Sequence, residues 1–171
     1  MNILLRKLKA SDSVILSKLA NNKNISKSLR DYFPKPYTLQ DAINFIDFTK
    51  KEITQLTFAI EFNGSFCGII SLGLKTDVYQ KNGELGYWIG EEFWGKGITS
   101  KAVDLIIDYG FNKLKLERIF AGIFSNNLGS MKVLEKNNFS KEGVFKNAIF
   151  KNGELLDEHQ YTILKDDYPH K

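Results

Sequence analysis

The sequence predicts a single domain of mixed α/β class, with a mostly antiparallel sheet flanked by helices, and three observations carry that expectation. Apolar runs of strand length recur along the 171 residues and are separated by turn-forming Asn-Gly pairs. Longer segments repeat their apolar residues at helical spacing. One strand–helix–strand unit, residues 83–124, has the length of a right-handed crossover, so it lays two strands parallel while the others pair antiparallel. A chain of this length fits one domain and buries roughly 70% of its unfolded surface, so it needs neither disulfides nor a structural metal.

The elements follow in order. Residues 2–8 form a first strand and 11–20 a first helix. In the helix over 38–53, Leu39, Ala42, Ile43 and Ile46 share a face, and Thr38 with Asp41 forms a capping pair. Strands over 56–62 and 65–75 form a hairpin across Asn63-Gly64, and 83–90 is a strand after Asn82-Gly83. The longest helix, 96–114, aligns Ile98, Ala102, Leu105, Ile106 and Tyr109. A strand over 118–124, a helix over 128–136, and a hairpin of 144–150 with 155–164 across Asn152-Gly153 complete the chain. All three Asn-Gly pairs read as turns, because both residue types tolerate positive φ.

Composition narrows the function classes. Hydrophobic residues make up 43% and charged residues 26%, an ordinary globular balance. Cys67 is the one cysteine, which excludes a disulfide framework and a cysteine-rich zinc site; in Phe66-Cys67-Gly68-Ile69-Ile70 it reads as a small buried strand residue. No metal site is expected. No apolar run approaches ~18 residues and the segment 1–6 is too short for a signal peptide, so the expectation is a cytoplasmic protein with no membrane partner. The net charge is +4, spread over lysines scattered among acids with no run of five basic residues. Nothing therefore supports nucleic-acid binding, while a mild positive field suits a polyanionic cofactor.

The chemistry concentrates at 84–102, which reads strand, tight loop, helix. A helix start leaves N–H groups unpaired and carries partial positive charge. Gly95 and Gly97 remove the β-carbons that would hold a phosphate away from those amides, and Thr99 and Ser100 add hydroxyl donors. Gly90 and Gly95-Lys96 have the spacing of a P-loop, but Gly97 stands where that motif needs a hydroxyl for Mg²⁺, and Glu91-Glu92-Phe93-Trp94 is acidic and bulky where backbone must wrap a phosphate. The P-loop reading fails.

With those residues in view, the chain resembles the GNAT superfamily of acyl-CoA N-acyltransferases, in the branch of the ribosomal-protein-alanine acetyltransferases. That family's Gln/Arg-x-x-Gly-x-Gly/Ala turn appears as Trp94-Gly95-Lys96-Gly97-Ile98-Thr99, departing at Trp94 and Thr99. A second block, 127–139, resembles its Asn-x-x-Ser/Ala followed by Leu-Glu-Lys-x-Gly-Phe, with Asn138 in place of Gly. Arg30 to Thr38 and the stretch 153–164 also fit, so the resemblance spans nearly the whole chain, with its two blocks about thirty residues apart.

The resemblance implies a GNAT fold with a splayed parallel strand pair and acetyl-CoA as cofactor. The splay would lie between the strand through Tyr87, Trp88 and Ile89 and the strand through Ile119, Phe120 and Ala121, with pantetheine running along Trp88 and Ile89 and an N–H near Tyr87–Ile89 facing the thioester oxygen. Trp94, Gly95, Lys96, Gly97, Ile98, Thr99 and Ser100 would hold the pyrophosphate side, with Asn127, Ser130 and Lys136 adding cofactor contacts. The acceptor is a protein N-terminal or small-molecule amine, and Asp31, Phe33, Tyr37 and Asp157 are its candidate contacts. An amine of pKa near 10.4 is neutral in only about one molecule in a thousand at pH 7, so a base helps. Glu84 is the candidate, the alternative being a solvated strand-edge acid; Asp31, Asp157, Glu158 and His159 stand in reserve. Ser130 is the candidate acid for the departing thiolate, since Leu134 stands where many members carry Tyr; the alternative is a capping or cofactor-binding hydroxyl. With no cysteine nucleophile apparent, transfer is expected to be direct. A non-catalytic acyl-CoA-binding module and a transferase using a longer acyl donor remain open, and the family allows a homodimer.

Overall fold

A computed structural model describes residues 2–169. The apolar runs become β1 (Ile3–Arg6), β2 (Gln55–Phe62), β3 (Ser65–Leu74), β4 (Asn82–Ile89), β5 (Arg118–Phe124), β6 (Ser140–Lys151) and β7 (Glu154–Leu164). They form one sheet in the order β1-β2-β3-β4-β5-β7-β6. Every neighbouring pair is antiparallel except β4 with β5, which the crossover lays parallel. The helices are α1 (Ser13–Ala20), α2 (Lys23–Ser26), α3 (Leu39–Lys51), α4 (Ile98–Asp108) and α5 (Leu128–Lys136).

The two-residue period of the strands sends alternate side chains to opposite faces. Ile70 and Leu72 of β3 join Val103, Ile106 and Ile107 of α4 and Ile119 and Ile163 of the sheet in one core. Ile69 joins Leu16 of α1 and Ala42 and Ile46 of α3 in a second core on the other face. The sheet is therefore covered on both sides, which explains why β3 is buried without a break from Phe66 to Leu72.

Local chemistry accounts for most boundaries. Asn63 and Gly64 sit at φ 49° and 84°, and Asn152 and Gly153 at 52° and 85°, as two-residue hairpin turns require. The third pair corrects the expectation. Asn82-Gly83 does not turn but opens β4, because the reversal is made by a 3₁₀ turn over Asp77–Tyr79 whose Tyr79 carbonyl accepts from Asn82 Nδ2 at 3.0 Å. Gly83 is instead a packing site, where a Cβ would come within 2.9 Å of Leu116 Cδ1. Helix α4 begins at Ile98 rather than residue 96, because Gly97 at φ 74° is left-handed, and a π-helical turn over Tyr109–Lys113 ends it. Strand β6 begins at Ser140, four residues before the expected start, and its two register shifts break the alternation that a sequence reading follows. Helix α2 was not foreseen; Asn22 caps it by accepting from Asn24 N–H at 2.7 Å.

Two supports yield predictions. Thr38 caps α3 by accepting from Asp41 N–H at 3.2 Å, while Asp41 accepts from Thr38 N–H at 2.8 Å. Thr38→Ala is expected to lower unfolding stability by about 1 kcal/mol, seen as a shift of the urea midpoint with unchanged slope; an unmoved midpoint would show the cap to be idle. At the other end, Arg6 donates to both oxygens of Asp12, at 2.8 and 2.9 Å, and to Glu61. Burial pushes the Asp12 carboxyl up, but the hydrogen bonds from Arg6 and Lys9 N–H outweigh it and hold the group below the ordinary carboxylate value. Its stabilisation is complete above the unfolded carboxylate pKa and is lost as pH falls through the lower folded value. Asp12→Asn should destabilise the protein near neutral pH and flatten the loss of stability below about pH 4, as read by urea titrations across pH; an unchanged acid limb would remove Asp12 from that role.

Candidate active site

The site begins where two strands part. β4 and β5 are paired only at Asn82↔Arg118, Gly83↔Ile119 and Glu84↔Phe120. β4 nevertheless stays with β3 as far as Ile89, and β5 stays with β7 as far as Phe124. The gap therefore opens beyond Glu84 and Phe120, so Ile119 and Phe120 lie in the paired part and Ala121–Phe124 line the gap. Gly90 N–H donates to Cys67 O at 2.8 Å. With the alternation of an antiparallel ladder, this turns the backbone of Trp88 toward β3 and that of Tyr87 and Ile89 toward the gap. The expected pseudo-strand along Trp88 and Ile89 thus has its gap-facing groups at Tyr87 and at the Ile89 N–H, while the Trp88 ring packs edge-on to Phe33. The Ile89 carbonyl accepts from Trp94 Nε1 at 2.9 Å, which ties the following loop to the end of β4.

That loop carries the left-handed pair Gly95 (φ 72°) and Gly97 (φ 74°), and a Cβ on either would meet nothing within 4 Å. The space above the backbone is open, with no side chain capping the start of α4 and no acid in its first turn. The first helical donor is Lys101 N–H, to Gly97 O at 3.1 Å, so the preceding amides point outward as an anion cradle. Ile98 is 1% exposed and faces the core; only its backbone can reach a ligand. Thr99 and Ser100 are half-buried, and Ser100 Oγ accepts from Asn137 Nδ2 at 3.1 Å. Lys96 Nζ stands 5.7 Å from the centre of the Phe93 ring. Gly97, Ser100, Lys101 and Lys136 line a depression of about 420 Å³ beside the cradle.

A larger cleft of about 820 Å³ takes in both parted strands and gathers Phe33, Tyr37, Glu84, Tyr87, Trp88, Asn127 and Ser130. Phe33 packs with Tyr37 at 4.8 Å and edge-on to Trp88 at 6.2 Å between ring centres. Burial, helped by the charge of Asp41, pushes the Tyr37 phenol up to about 12. Tyr87 Oη lies 2.7 Å from Ser130 Oγ, a pair in which either hydroxyl can donate, and burial holds the phenol well above its usual value despite that hydrogen bond. Asn127 caps α5 by accepting from Ser130 N–H at 3.2 Å, setting Ser130 in the first turn. Leu134 is fully buried in the core.

Glu84 is held from two sides, by Arg30 Nη2 at 3.0 Å and Lys75 Nζ at 2.5 Å. Sequence reading missed both cations, since nothing in the spacing of Arg30 or Lys75 announces a shared partner. Asp31 and Asp157 are not among the residues that line the cleft. Lys151, 4% exposed, donates to Asp31 Oδ1 and to Leu29 O, both at 2.6 Å, and Lys35 also reaches Asp31. The Lys151 hydrogen bond, then that of Lys35, holds the Asp31 carboxyl below its usual range. Asp157 accepts from Lys146 Nζ and Asn147 N–H, bracing the irregular part of β6. Of the reserve groups, Glu158 lines the cleft; His159 does not, and its Nδ1 is buried without a hydrogen bond. Among the described residues no cluster of His, Cys, Asp or Glu is placed to hold a metal, and no helix is long and apolar enough to cross a membrane.

Comparison with known proteins places this geometry. Residues 2–140 match the family described as acetyltransferase (GNAT) domain. The uncharacterized N-acetyltransferase p20 of Bacillus licheniformis is 31% identical over 97% of this chain and 94% of its own length. The spermidine N(1)-acetyltransferase of Escherichia coli (strain K12) is 26% identical over 98% of this chain and 88% of its own. Mycobacterium smegmatis RimJ in complex with CoA-disulfide superposes with a TM-score of 0.91, covering 99% of this chain and 85% of that one at 22% identity, a likeness of fold.

Proposed function

The chain belongs to the GNAT acetyltransferase family, and on that premise we propose that it transfers an acetyl group from acetyl-CoA to a primary amine by direct attack, with both substrates bound together. The observation that carries this reading is the gap between β4 and β5, with an anion cradle at one end and an aromatic, carboxylate-bearing cleft at the other.

Each residue then has a task. The amides after Gly97, with Gly95, Thr99, Ser100 and Lys136, hold the diphosphate side of the cofactor. The gap-facing backbone of Tyr87 and Ile89 hydrogen-bonds the pantetheine arm, and an N–H there stabilises the thioester oxygen as charge develops, a term of about 3 kcal/mol. Phe33, Tyr37 and Trp88 wall the acceptor. Glu84, anchored by Arg30 and Lys75, takes the proton from the amine directly or through a water. Ser130 Oγ, set beside Tyr87 Oη, donates a hydrogen bond to the departing thiolate, which takes up a proton through solvent as Glu84 releases the one it accepted. One C–N bond forms, one C–S bond breaks, and the proton lost by the amine balances the one gained by the thiol. Cys67 takes no part: burial pushes its thiol up to about 12, and it sits 3.3 Å from Ile60 O.

The test is thiol release from acetyl-CoA across a panel of primary amines, run in parallel with succinyl-CoA. Amine-dependent release with acetyl-CoA supports the reading. Tight CoA binding with no release for any amine would assign a non-catalytic module instead, and a preference for succinyl-CoA would assign a longer acyl donor.

A further inference from the structure

The cleft holds a carboxylate that the reaction just described leaves unused. Glu158 lies opposite Phe124 in the β5–β7 ladder, and its neighbour on the same face, Gln160, lies opposite Gly122. Gly122 has no side chain, and the acid fills that space: a Cβ on Gly122 would fall 2.1 Å from Glu158 Oε1. The carboxylate therefore rests on the part of β5 that has separated from β4, at the mouth of the gap and inside the acceptor cleft with Glu84.

The two acids differ in their surroundings. Glu84 is matched by Arg30 and Lys75. Glu158 is half-buried, and its carboxylate has neither a hydrogen bond nor an ion pair among the described residues. Withdrawing a carboxylate from water without a partner is unfavourable, and the fold supplies nothing to offset it. The cleft as a whole has the same bias. Asp41, Glu52, Glu84 and Glu158 line it against the single basic side chain of Arg30, in a chain whose net charge is +4. Aromatic walls beside such a cluster favour a cation further.

Resting on the reading of this cleft as the amine site, we propose that Glu158 holds a second ammonium group of the acceptor, which makes short diamines and oligoamines the preferred acceptor class. The reacting amine meets Glu84 and the thioester; the distal ammonium pairs with Glu158.

The experiment compares diaminobutane with butylamine on the full chain, by calorimetric titration of the CoA-saturated protein and by thiol release from acetyl-CoA. The wild type should favour the diamine by about tenfold or more in kcat/KM, the scale of one charged hydrogen bond. Glu158→Gln should erase the preference through KM rather than kcat, with CoA affinity unchanged. Gly122→Ala should do the same, because the three atoms nearest its methyl all belong to the movable end of Glu158. A wild type without the preference, or Glu158→Gln and Gly122→Ala variants that keep it, would overturn the inference. Diamine binding that depends on Glu158 but yields no thiol release would uphold the inference and defeat the transfer reaction; amine-dependent release with no diamine preference would do the reverse.

Discussion

Gly97→Val is expected to weaken CoA binding by about 100-fold or more while leaving a folded protein. Gly97 holds φ 74°, and a β-branched side chain in that conformation is strained by about 1–3 kcal/mol. Its side chain would also project into open space, since nothing lies within 4 Å of a Cβ there. The fold loses little from a collision, because there is no neighbour to collide with. The ligand loses the surface on which its diphosphate rests, and any relaxation away from the left-handed region re-aims the amides at the start of α4. Calorimetric titration with CoA should show affinity weakened by about 100-fold or more, the upper end of what that strain alone converts to. Circular dichroism and a thermal melt report on folding, and Gly97→Ala gives a milder form of the same change. Wild-type CoA affinity in a folded Gly97→Val protein would sink the assignment of the diphosphate to this turn.

Glu84→Gln should cut turnover by about 10²–10⁴-fold, the usual contribution of a placed acid or base, with CoA affinity unaffected. The physical reason is the scarcity of neutral amine near pH 7. Without a proton acceptor in the cleft, the rate at saturating amine should climb about tenfold per pH unit as the free base appears, whereas the wild type should be flatter. The substitution also leaves Arg30 and Lys75 facing a neutral amide, so a melt must accompany the kinetics. An unchanged rate at saturating amine over pH 6–9 would remove Glu84 from proton transfer and leave it as the anchor that joins Arg30 to Lys75.

Strand β5 and helix α5 fall where apolar period and turn residues place them, because those signals act over a few residues. Gly95 and Gly97 were legible for the same reason: a left-handed backbone before a helix start needs residues without a β-carbon. Asn82-Gly83 shows the limit of local reading. Its composition suits a turn, yet its place in the ladder beside Lys75 and under Leu116 makes it the start of a strand. The chain alone thus determined the mixed α/β class and the glycine turn before α4, and it singled out Glu84 and Ser130. Tertiary structure decided which of the acids reach the cleft. Asp31 is drawn away by Lys151, 120 residues distant; Glu84 is clamped by Arg30, 54 residues away; and Glu158 is admitted because Gly122, on the neighbouring strand, leaves it room. A carboxylate's role depends on the charges and space around it, and in this sheet those come from strands and loops far off in sequence, brought together by topology.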